Sequence, residues 1–507
     1  MKLEYLIVQC GGLGSRMQYL TANKPKCLIS VFGSPLILHL NSIFNKPKFI
    51  VIGKYKYQVL KNYLKLFEDK INFKIVYSKG NGSISGIKRA LDYIPPNKPF
   101  GIVWSDILFT KKLYIQDVKE NYIGITNNSY CRWTLKNGKP TEEGGNKNGI
   151  FGFFIFKDKE EIKNLPTSGE FVRFLKESNI PLKPYIVNNV YEVGSLEKYN
   201  ILLKETGKEN TRFFNEIKIK DGIVTKIARY KEFDELIKKE SNWYRYVMRK
   251  GYENIPKIIS LNPLKMELIN GKHPFEINSA SITSRKYILN QIIDALIKLH
   301  EIDEVAYDLE EDIEVLVNKT THRLNKVESV LPKNKMEVNG KKINIKYKDL
   351  SKTITKAFRK IHKSYNFCVI HGDPTFSNTL ITKRNEIKFI DPRGYYGKKL
   401  IYGNPMYDFA KLYYSCIGNY DQFNLRNFRL TLDLNQNKAS INIVSNNYEE
   451  AGWEVFNERF SKSEINDIKI MHALIWLALT GYVIDDYDSI IGAYLKGLLE
   501  LKEVAII

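Results

Sequence analysis

Cysteine is scarce and scattered, with five residues in a chain of 507, at positions 10, 27, 131, 368 and 416. They form no CxxC pair and have no histidine at ligand spacing, which argues against a zinc site and a disulfide framework and suits a reducing cytoplasm. Long hydrophobic runs are missing as well. The N-terminal MKLEYLIVQC is too short in its apolar part for a signal sequence, and ALIWLAL is stopped by Thr480 and Gly481 well short of a bilayer span. A soluble chain without membrane insertion is expected. Negative charge is in deficit, since 56 acidic side chains face 78 basic ones and leave a formal charge of +22. A basic surface suits nucleotides, nucleic acid or anionic membrane, but the abundance of Lys, Ile, Asn and Tyr also fits the amino-acid bias of an AT-rich genome. No Lys/Arg block and no RNA-binding signature accompanies the charge, so nucleic acid is not an expected partner.

What is present is enough apolar residue, 43% of the chain, to build two or three packed cores. From residue 2 to about 110, short β-rich runs (YLIVQC, FIVIG, FKIVYS, FGIVWSD) alternate with helical ones (PLILHLNSIF, YQVLKNYLKLF, ISGIKRALDYI). This βαβ alternation predicts a parallel or mixed sheet with helices on both faces, a Rossmann-like α/β architecture. Strands are expected at 148–156 and 185–193, and a helix at SLEKYNILLKET. The chain turns polar at Gly207–Thr211, where a boundary falls between a first domain, 1–208, and a second, 209–507. The second restarts with two strand-like runs joined by Asp221-Gly222, a hairpin signal. A small α/β lobe, about 209–275, precedes a mainly helical large lobe, about 280–507, interrupted at Asn339-Gly340 by what reads as a surface hairpin.

Gly11-Gly12-Leu13-Gly14-Ser15-Arg16 directly follows the first strand, where glycines let backbone N–H groups approach phosphate oxygens. A dinucleotide fingerprint would need a third glycine at Met17 and a carboxylate near residues 30–32, and has neither. GGLGSRM followed by KPKCLI instead resembles the nucleotidylyltransferases that activate sugar phosphates and phosphocholine, over roughly residues 1–205. The resemblance implies that Gly11, Gly12, Gly14 and Ser15, with Gly82 and Ser83 of GNGSISGIKRAL, bind the nucleotide. It implies Arg16 on the triphosphate, Lys26 on the α-phosphate and incoming phosphate, and Asp106 with Glu192 on Mg²⁺. The family usually has Asp where Glu192 stands. Such cations answer the negative charge that gathers when a phosphate attacks an NTP and expels pyrophosphate.

Near the other end, FCVIHGDPTFSNTLI and EIKFIDPRG resemble the catalytic and metal loops of the aminoglycoside phosphotransferase and choline kinase family, over about residues 212–500. This implies a bilobal, protein-kinase-like α+β domain. Asp373 would serve the acceptor hydroxyl, Asn378 and Asp391 would hold Mg²⁺, His371 would support the loop and Asp408 would buttress it. Lys226 matches the ATP-phosphate lysine, Glu240 its ion-pair partner, and the run around Glu267, Met266 to Ile269, the hinge against adenine. Arg393 departs from the pattern, because many relatives are acidic there, and it favours a phosphate or an anionic acceptor.

Together the resemblances imply a bifunctional cytoplasmic enzyme. One half would phosphorylate a small alcohol, choline-like or other, with ATP. The other would transfer a nucleotidyl group, CMP from CTP by preference, and make a CDP-activated headgroup for surface polysaccharide or lipopolysaccharide. The alternative is a sugar kinase joined to a sugar-1-phosphate nucleotidylyltransferase using UTP, dTTP or GTP. A non-catalytic basic protein would be expected to lack Asp106, Asp373, Asn378 and Asp391, all of which are present. Tyr130, Trp133, Trp476 and Tyr482 are candidates for an amine cage or a sugar platform, with core or rim packing as their plain alternative. A homo-oligomer is left open.

Overall fold

The computed structural model describes residues 3–44, 46–115, 118–206, 215–228, 231–277, 280–363 and 365–506. The polar stretch 207–211, where the residue pattern suggests a boundary, lies outside them. The chain separates into two compact units, Met1–Glu209 with Asp485–Asp488, and Asn210–Ile484 with Ser489–Ile507.

In the first unit the alternation produces β1 (Tyr5–Gln9), α1 (Leu36–Ile43), β2 (Lys48–Gly53), α2 (Tyr57–Leu64), β3 (Phe73–Tyr77), α3 (Ile84–Ala90) and β4 (Phe100–Trp104). β1 lies between β2 and β4, parallel to both, with Ile7 opposite Ile50 and Ile102. β3 extends the sheet beyond β2, again in parallel. Strand side chains alternate, so Ile7, Ile50, Ile52 and Ile102 share one face, and they pack in one core cluster with Ile84 and Ile87 of α3. Each such burial contributes about 1.5–3 kcal/mol.

Beyond β4 the sheet becomes mixed. β5 (Ile107–Phe109) leaves it, while β6 (Tyr122–Thr126) and β7 (Gly149–Phe156) return antiparallel to one another, β7 also pairing antiparallel with β4. Every residue of β7 is buried, which accounts for its unbroken apolar run GIFGFFIF. α4 (Phe171–Glu177) adds Phe171 and Leu175 to the same core. The single strand expected over 185–193 is two, β8 (Lys183–Ile186), parallel to β6, and β9 (Val190–Glu192), antiparallel to β5 in a separate ladder. Asn188 and Asn189 make the break, turning the chain so that the Asn189 carbonyl accepts from the Thr110 N–H at 3.0 Å. α5 (Leu196–Thr206) follows.

The second unit opens with β10 (Asn215–Lys220) and β11 (Ile223–Ala228), joined by Asp221 and Gly222 at φ 51° and 72°, the two positive values a tight hairpin turn requires. After α6 (Asp234–Arg249), β12 (Ile258–Leu261) and β13 (Leu264–Glu267) complete a sheet in the order β10-β11-β13-β12. Helices then dominate. α7 (Ile282–His300) is capped by the Ser281 hydroxyl, which accepts from the Ser284 N–H. After α8 (Lys319–Lys326), β14 (Met336–Val338) and β15 (Lys341–Ile343) form the hairpin at Asn339-Gly340.

This hairpin is not a lone surface feature. β14 pairs in parallel with β20 (Lys438–Ile443), which forms a second hairpin with β19 (Phe428–Asp433) in a stretch expected to be helical. Val338 and Ile343 are thereby buried, a pairing across about a hundred residues that no local pattern reveals. Between these hairpins, β16 (Phe367–Val369), β17 (Thr379–Thr382), β18 (Ile387–Phe389), α9 (Pro405–Cys416) and, farther on, α10 (Lys462–Leu479) carry and support the loops described next. Trp476 of α10 is fully buried against Tyr414 and Phe423, and Trp133 is buried in the first unit. Both are core side chains, whereas Tyr130 and Tyr482 are exposed.

Candidate active sites

In the first unit, β1 delivers the chain into the loop of Gly11, Gly12 and Gly14. Ser15 and Arg16 then begin a 3-10 helix with exposed side chains. The Thr21 hydroxyl ties this helix back by donating to the Gly14 carbonyl at 3.0 Å. Lys26 starts a short turn after Pro25, and its ammonium lies 2.5 Å from the Asp106 carboxylate at the end of β4. Across the β5–β9 ladder Val193 donates its N–H to the Asp106 carbonyl at 2.7 Å, which brings Glu192 to the same sheet end. The Glu192 carboxylate meets Lys198 at 2.5 Å and Arg16 at 4.0 Å.

Gly82 has φ +77°, and a Cβ there would stand 2.1 Å from the Gly169 carbonyl oxygen, so only glycine fits. The neighbouring Ser83 hydroxyl accepts from the Phe171 N–H at 2.9 Å and stitches the expected base loop to α4. Lys54 donates to the Gly80 carbonyl at 3.1 Å and steadies the same loop. Lys24, two residues before Lys26, is buried between Asp486 and Asp488 at 2.7 Å each. Burial opposes its charge, but the two carboxylates outweigh burial and raise the ammonium above the ordinary lysine value. Lys24 belongs to the KPKCLI motif but its carboxylate partners lie far along the chain, and Lys54 does not stand out in a lysine-rich sequence.

In the second unit Lys226 of β11 donates to Glu240 of α6 at 2.5 Å and to Asp391 at 2.7 Å. Burial again works against the charge, and again the paired carboxylates prevail and hold Lys226 above its ordinary value. Asp391 follows β18 and sits at φ +55°, a left-handed conformation that a non-glycine residue holds only when its surroundings impose it. Glu267, at the end of β13, turns an exposed carboxylate to the Lys257 N–H at 2.8 Å.

The loop after β16 is held from below. One Asp408 carboxylate oxygen accepts from the His371 N–H at 2.8 Å and lies 3.1 Å from the His300 ring, and the other accepts from the Gly372 N–H at 2.7 Å. Gly372 has φ +79°, with the Arg393 side chain only 2.9 Å from where a Cβ would be. His371 is fully buried. Its Nε2 donates to the Ile390 carbonyl and its Nδ1 accepts from the Asp373 N–H, a pattern for neutral imidazole, and burial pushes its pKa down. Asn378 donates from its amide to the Asp373 carbonyl at 2.9 Å and to its carboxylate at 3.1 Å. The other Asp373 oxygen meets Lys411 of α9 at 2.9 Å, a contact with no motif to announce it.

An α/β unit with a glycine-rich loop and a Lys26–Asp106 pair thus precedes a unit in which Lys226 is paired with Glu240 and Asp391 beside the His371–Asp373 loop. Residues 205–439 match the model of the phosphotransferase enzyme family, and the chain carries a domain of that family in its C-terminal part. The N-terminal region matches nucleotidyltransferases. It is 29% identical over 108 residues to the catalytic subunit beta of mannose-1-phosphate guanylyltransferase from Dictyostelium discoideum, covering 20% of this chain and 30% of that protein. The chain therefore spans about 30% of the length of the curated relatives it matches. Among solved structures, HddC from Yersinia pseudotuberculosis is similar at 19% identity and TM-score 0.34, over 40% of this chain and 100% of that one. CTP:phosphocholine cytidylyltransferase from Streptococcus pneumoniae (LicC) is similar at 19% identity and TM-score 0.33, over 41% and 100%. No helix among the described residues is long and apolar enough to cross a membrane.

Proposed function

We propose that this chain is a bifunctional enzyme that phosphorylates a small hydroxyl compound with ATP and then couples the phosphorylated product to a nucleotide. The observation that carries the reading is Lys226 bridging Glu240 and Asp391, with Asp373 and Asn378 on the adjoining loop. At that site the acceptor hydroxyl oxygen bonds to the γ-phosphorus while the bond to the β,γ-bridging oxygen breaks. ADP leaves, and Asp373 receives the hydroxyl proton. Lys226 steadies the ATP phosphates, and Glu240 keeps it in place.

At the other site a phosphate oxygen of the product attacks the α-phosphorus of an NTP and pyrophosphate departs. Lys26 faces the α-phosphate and incoming phosphate, and Arg16 the leaving pyrophosphate. Gly11, Gly12, Gly14 and Ser15 line the triphosphate, and Gly82 and Ser83 the base and ribose. Asn378 with Asp391, and Asp106 with Glu192, would hold Mg²⁺, which when bound offsets phosphate charge. Two oxygen-bearing side chains per site fit an ion that keeps phosphate oxygens and water as its other ligands, and Asp106 and Asp391 each already hold a cation, Lys26 and Lys226.

CTP and a CDP-activated headgroup for a surface polysaccharide follow from resemblance to phosphocholine cytidylyltransferases. The match to mannose-1-phosphate guanylyltransferase favours a second reading, a sugar acceptor with GTP. Mass spectrometry of the full chain with Mg²⁺, ATP, the other NTPs and a pool of amino alcohols and sugars tests both. A phosphorylated acceptor with its nucleotide adduct is expected, and the adduct's mass names the base. An adduct formed only from supplied sugar 1-phosphates, with no ATP-dependent phosphorylation, would overturn the bifunctional reading.

A further inference from the structure

Three cations, Lys411, Arg393 and Lys319, gather around Asp373, and a fourth, Arg323, adjoins Arg393 and Lys319. Lys411 touches the Asp373 carboxylate at 2.9 Å. Arg393 donates to the Tyr407 hydroxyl at 3.2 Å and lies 4.6 Å over the Tyr395 ring. Lys319 and Arg323 come from α8, one helical turn apart and so on one face. Arg323 donates to the Ala478 carbonyl at 3.2 Å and lies 5.5 Å over Tyr482. Among the described residues no carboxylate forms an ion pair with Lys319, Arg323 or Arg393. Lys319 is driven well below the ordinary lysine value by burial and then by Arg393, Arg323 and Lys411, with Asp373 the acid opposing them. Such crowding of like charge is unfavourable in the free protein and is relieved by a bound anion. A π-helical turn, Ile313–Asn318, leads directly into α8, an irregularity frequent at functional sites.

The aromatic rings here are already engaged. Arg393 and Lys239 cover Tyr395, Lys411 lies over Tyr407 and Tyr414, and Arg323 covers Tyr482. A quaternary amine is disfavoured beside cations that already lie over these rings.

We propose that the acceptor of the phosphotransferase unit is a hydroxyl compound that itself bears an anionic group, a phosphate or a carboxylate, and that Lys319, Arg323 and Arg393 bind that group. This rests on the phosphotransferase reading of the unit. Lys411, in contact with Asp373, stands apart in serving the reacting centre. Lys319 and Arg323 are specificity-determining residues, since they reach the acceptor's charge and not the hydroxyl that reacts.

The test titrates the full chain, with Mg²⁺ and a non-hydrolysable ATP analogue, against glucose, glucosamine, glucose 6-phosphate, glucuronate and choline. Glucose 6-phosphate or glucuronate is expected to bind at least about tenfold more tightly than glucose, glucosamine or choline, and which of the two prevails tells phosphate from carboxylate. Arg323→Met or Lys319→Met should erase that preference while the affinity for the ATP analogue stays within about twofold, and Arg323→Lys should retain most of it. Glucosamine or choline binding as tightly as the anions would overturn the proposal, as would a preference that survives in both methionine variants. A chain that binds the ATP analogue but prefers a cationic probe keeps the phosphotransferase reading and loses this one, whereas a chain that binds no ATP analogue loses both.

Discussion

The two sites solve the same electrostatic problem differently. In the second unit Lys226 and Glu240 each leave 6% of their side chains exposed, and Asp408, beneath the His371–Asp373 loop, leaves none. In the first unit Lys26 and Asp106 expose 17% and 12%, and Arg16 exposes 68%. A buried ion pair is expensive to break, because the partner left behind keeps its desolvation penalty, whereas a pair at the surface exchanges partners readily. On the proposed reading the Lys226–Glu240 core of the phosphotransferase site is therefore assembled before substrate arrives. On the same reading the partly buried Lys26–Asp106 pair opens when phosphate takes the lysine, and the exposed guanidinium of Arg16 needs no such release.

The largest expected effects separate the sites outright. Asp373→Asn should lower ATP-dependent phosphorylation by a factor on the order of 10³ or more while leaving nucleotidyl transfer to a supplied phosphorylated acceptor within about twofold. Lys26→Ala should do the reverse, lowering pyrophosphate release by about 10² to 10³ and sparing phosphorylation. Both rates are measured on both variants. Loss of both activities in either one would dissolve the distinction between the sites.

Preassembly itself is tested at Asp408, which is fully buried beneath the His371–Asp373 loop. Asp408→Ala removes the acceptor of two buried backbone N–H groups and of the His300 contact, at about 3 kcal/mol or more of unit stability. Thermal unfolding should show that loss, together with a fall in kcat for phosphorylation and little change in pyrophosphate release. Glu192→Ala, at a half-buried carboxylate on the sheet end, should by comparison move unfolding far less. Equal stability losses would mean that the two sites do not differ in rigidity as their burial suggests.

Much of this was legible in the residues because backbone-driven motifs are local. GGLGSR after a strand, the Asp221-Gly222 turn and the HGD and IDP loops each carry their geometry within a few positions, and the structure brings Lys226 to Glu240, Asn378 to Asp373 and Lys26 to Asp106. What could not be read depends on distant pairing. The parallel match of Val338 to Ala439 needs a strand about a hundred residues away, and the run 185–193 gives no sign that its two asparagines divide it between ladders. The cations of the acceptor site were hidden for a different reason. With 78 Lys and Arg in the chain, nothing in composition distinguishes Lys319, Arg323 or Lys411 from solvated neighbours until α8 and α9 bring Lys319 and Lys411 to Asp373 and Arg323 to Arg393.

The smallest effect follows from where the histidines lie. One of the seven, His39, is in the first unit, and His472 is fully buried in the second, where its Nε2 accepts from the Trp476 indole at 2.8 Å. Burial pushes its pKa from 6.5 down to about 4, with Glu500 opposing and Lys496 assisting. A depressed pKa means that the unfolded chain binds a proton the folded one refuses, so stability is unaffected above pH 6.5, falls progressively as pH drops from 6.5, and stops falling on this account below about 4. By pH 5 the loss amounts to about 2 kcal/mol, at 1.36 kcal/mol per pH unit. Denaturant unfolding of the second unit should therefore steepen in its pH dependence below 6.5. His472→Gln, which still offers an oxygen to Trp476 but cannot take up a proton, should flatten the curve between pH 6.5 and 5 by about that amount. The first unit's curve should stay as it was, and an unchanged slope for the second would show that its acid sensitivity comes from other buried groups such as His371.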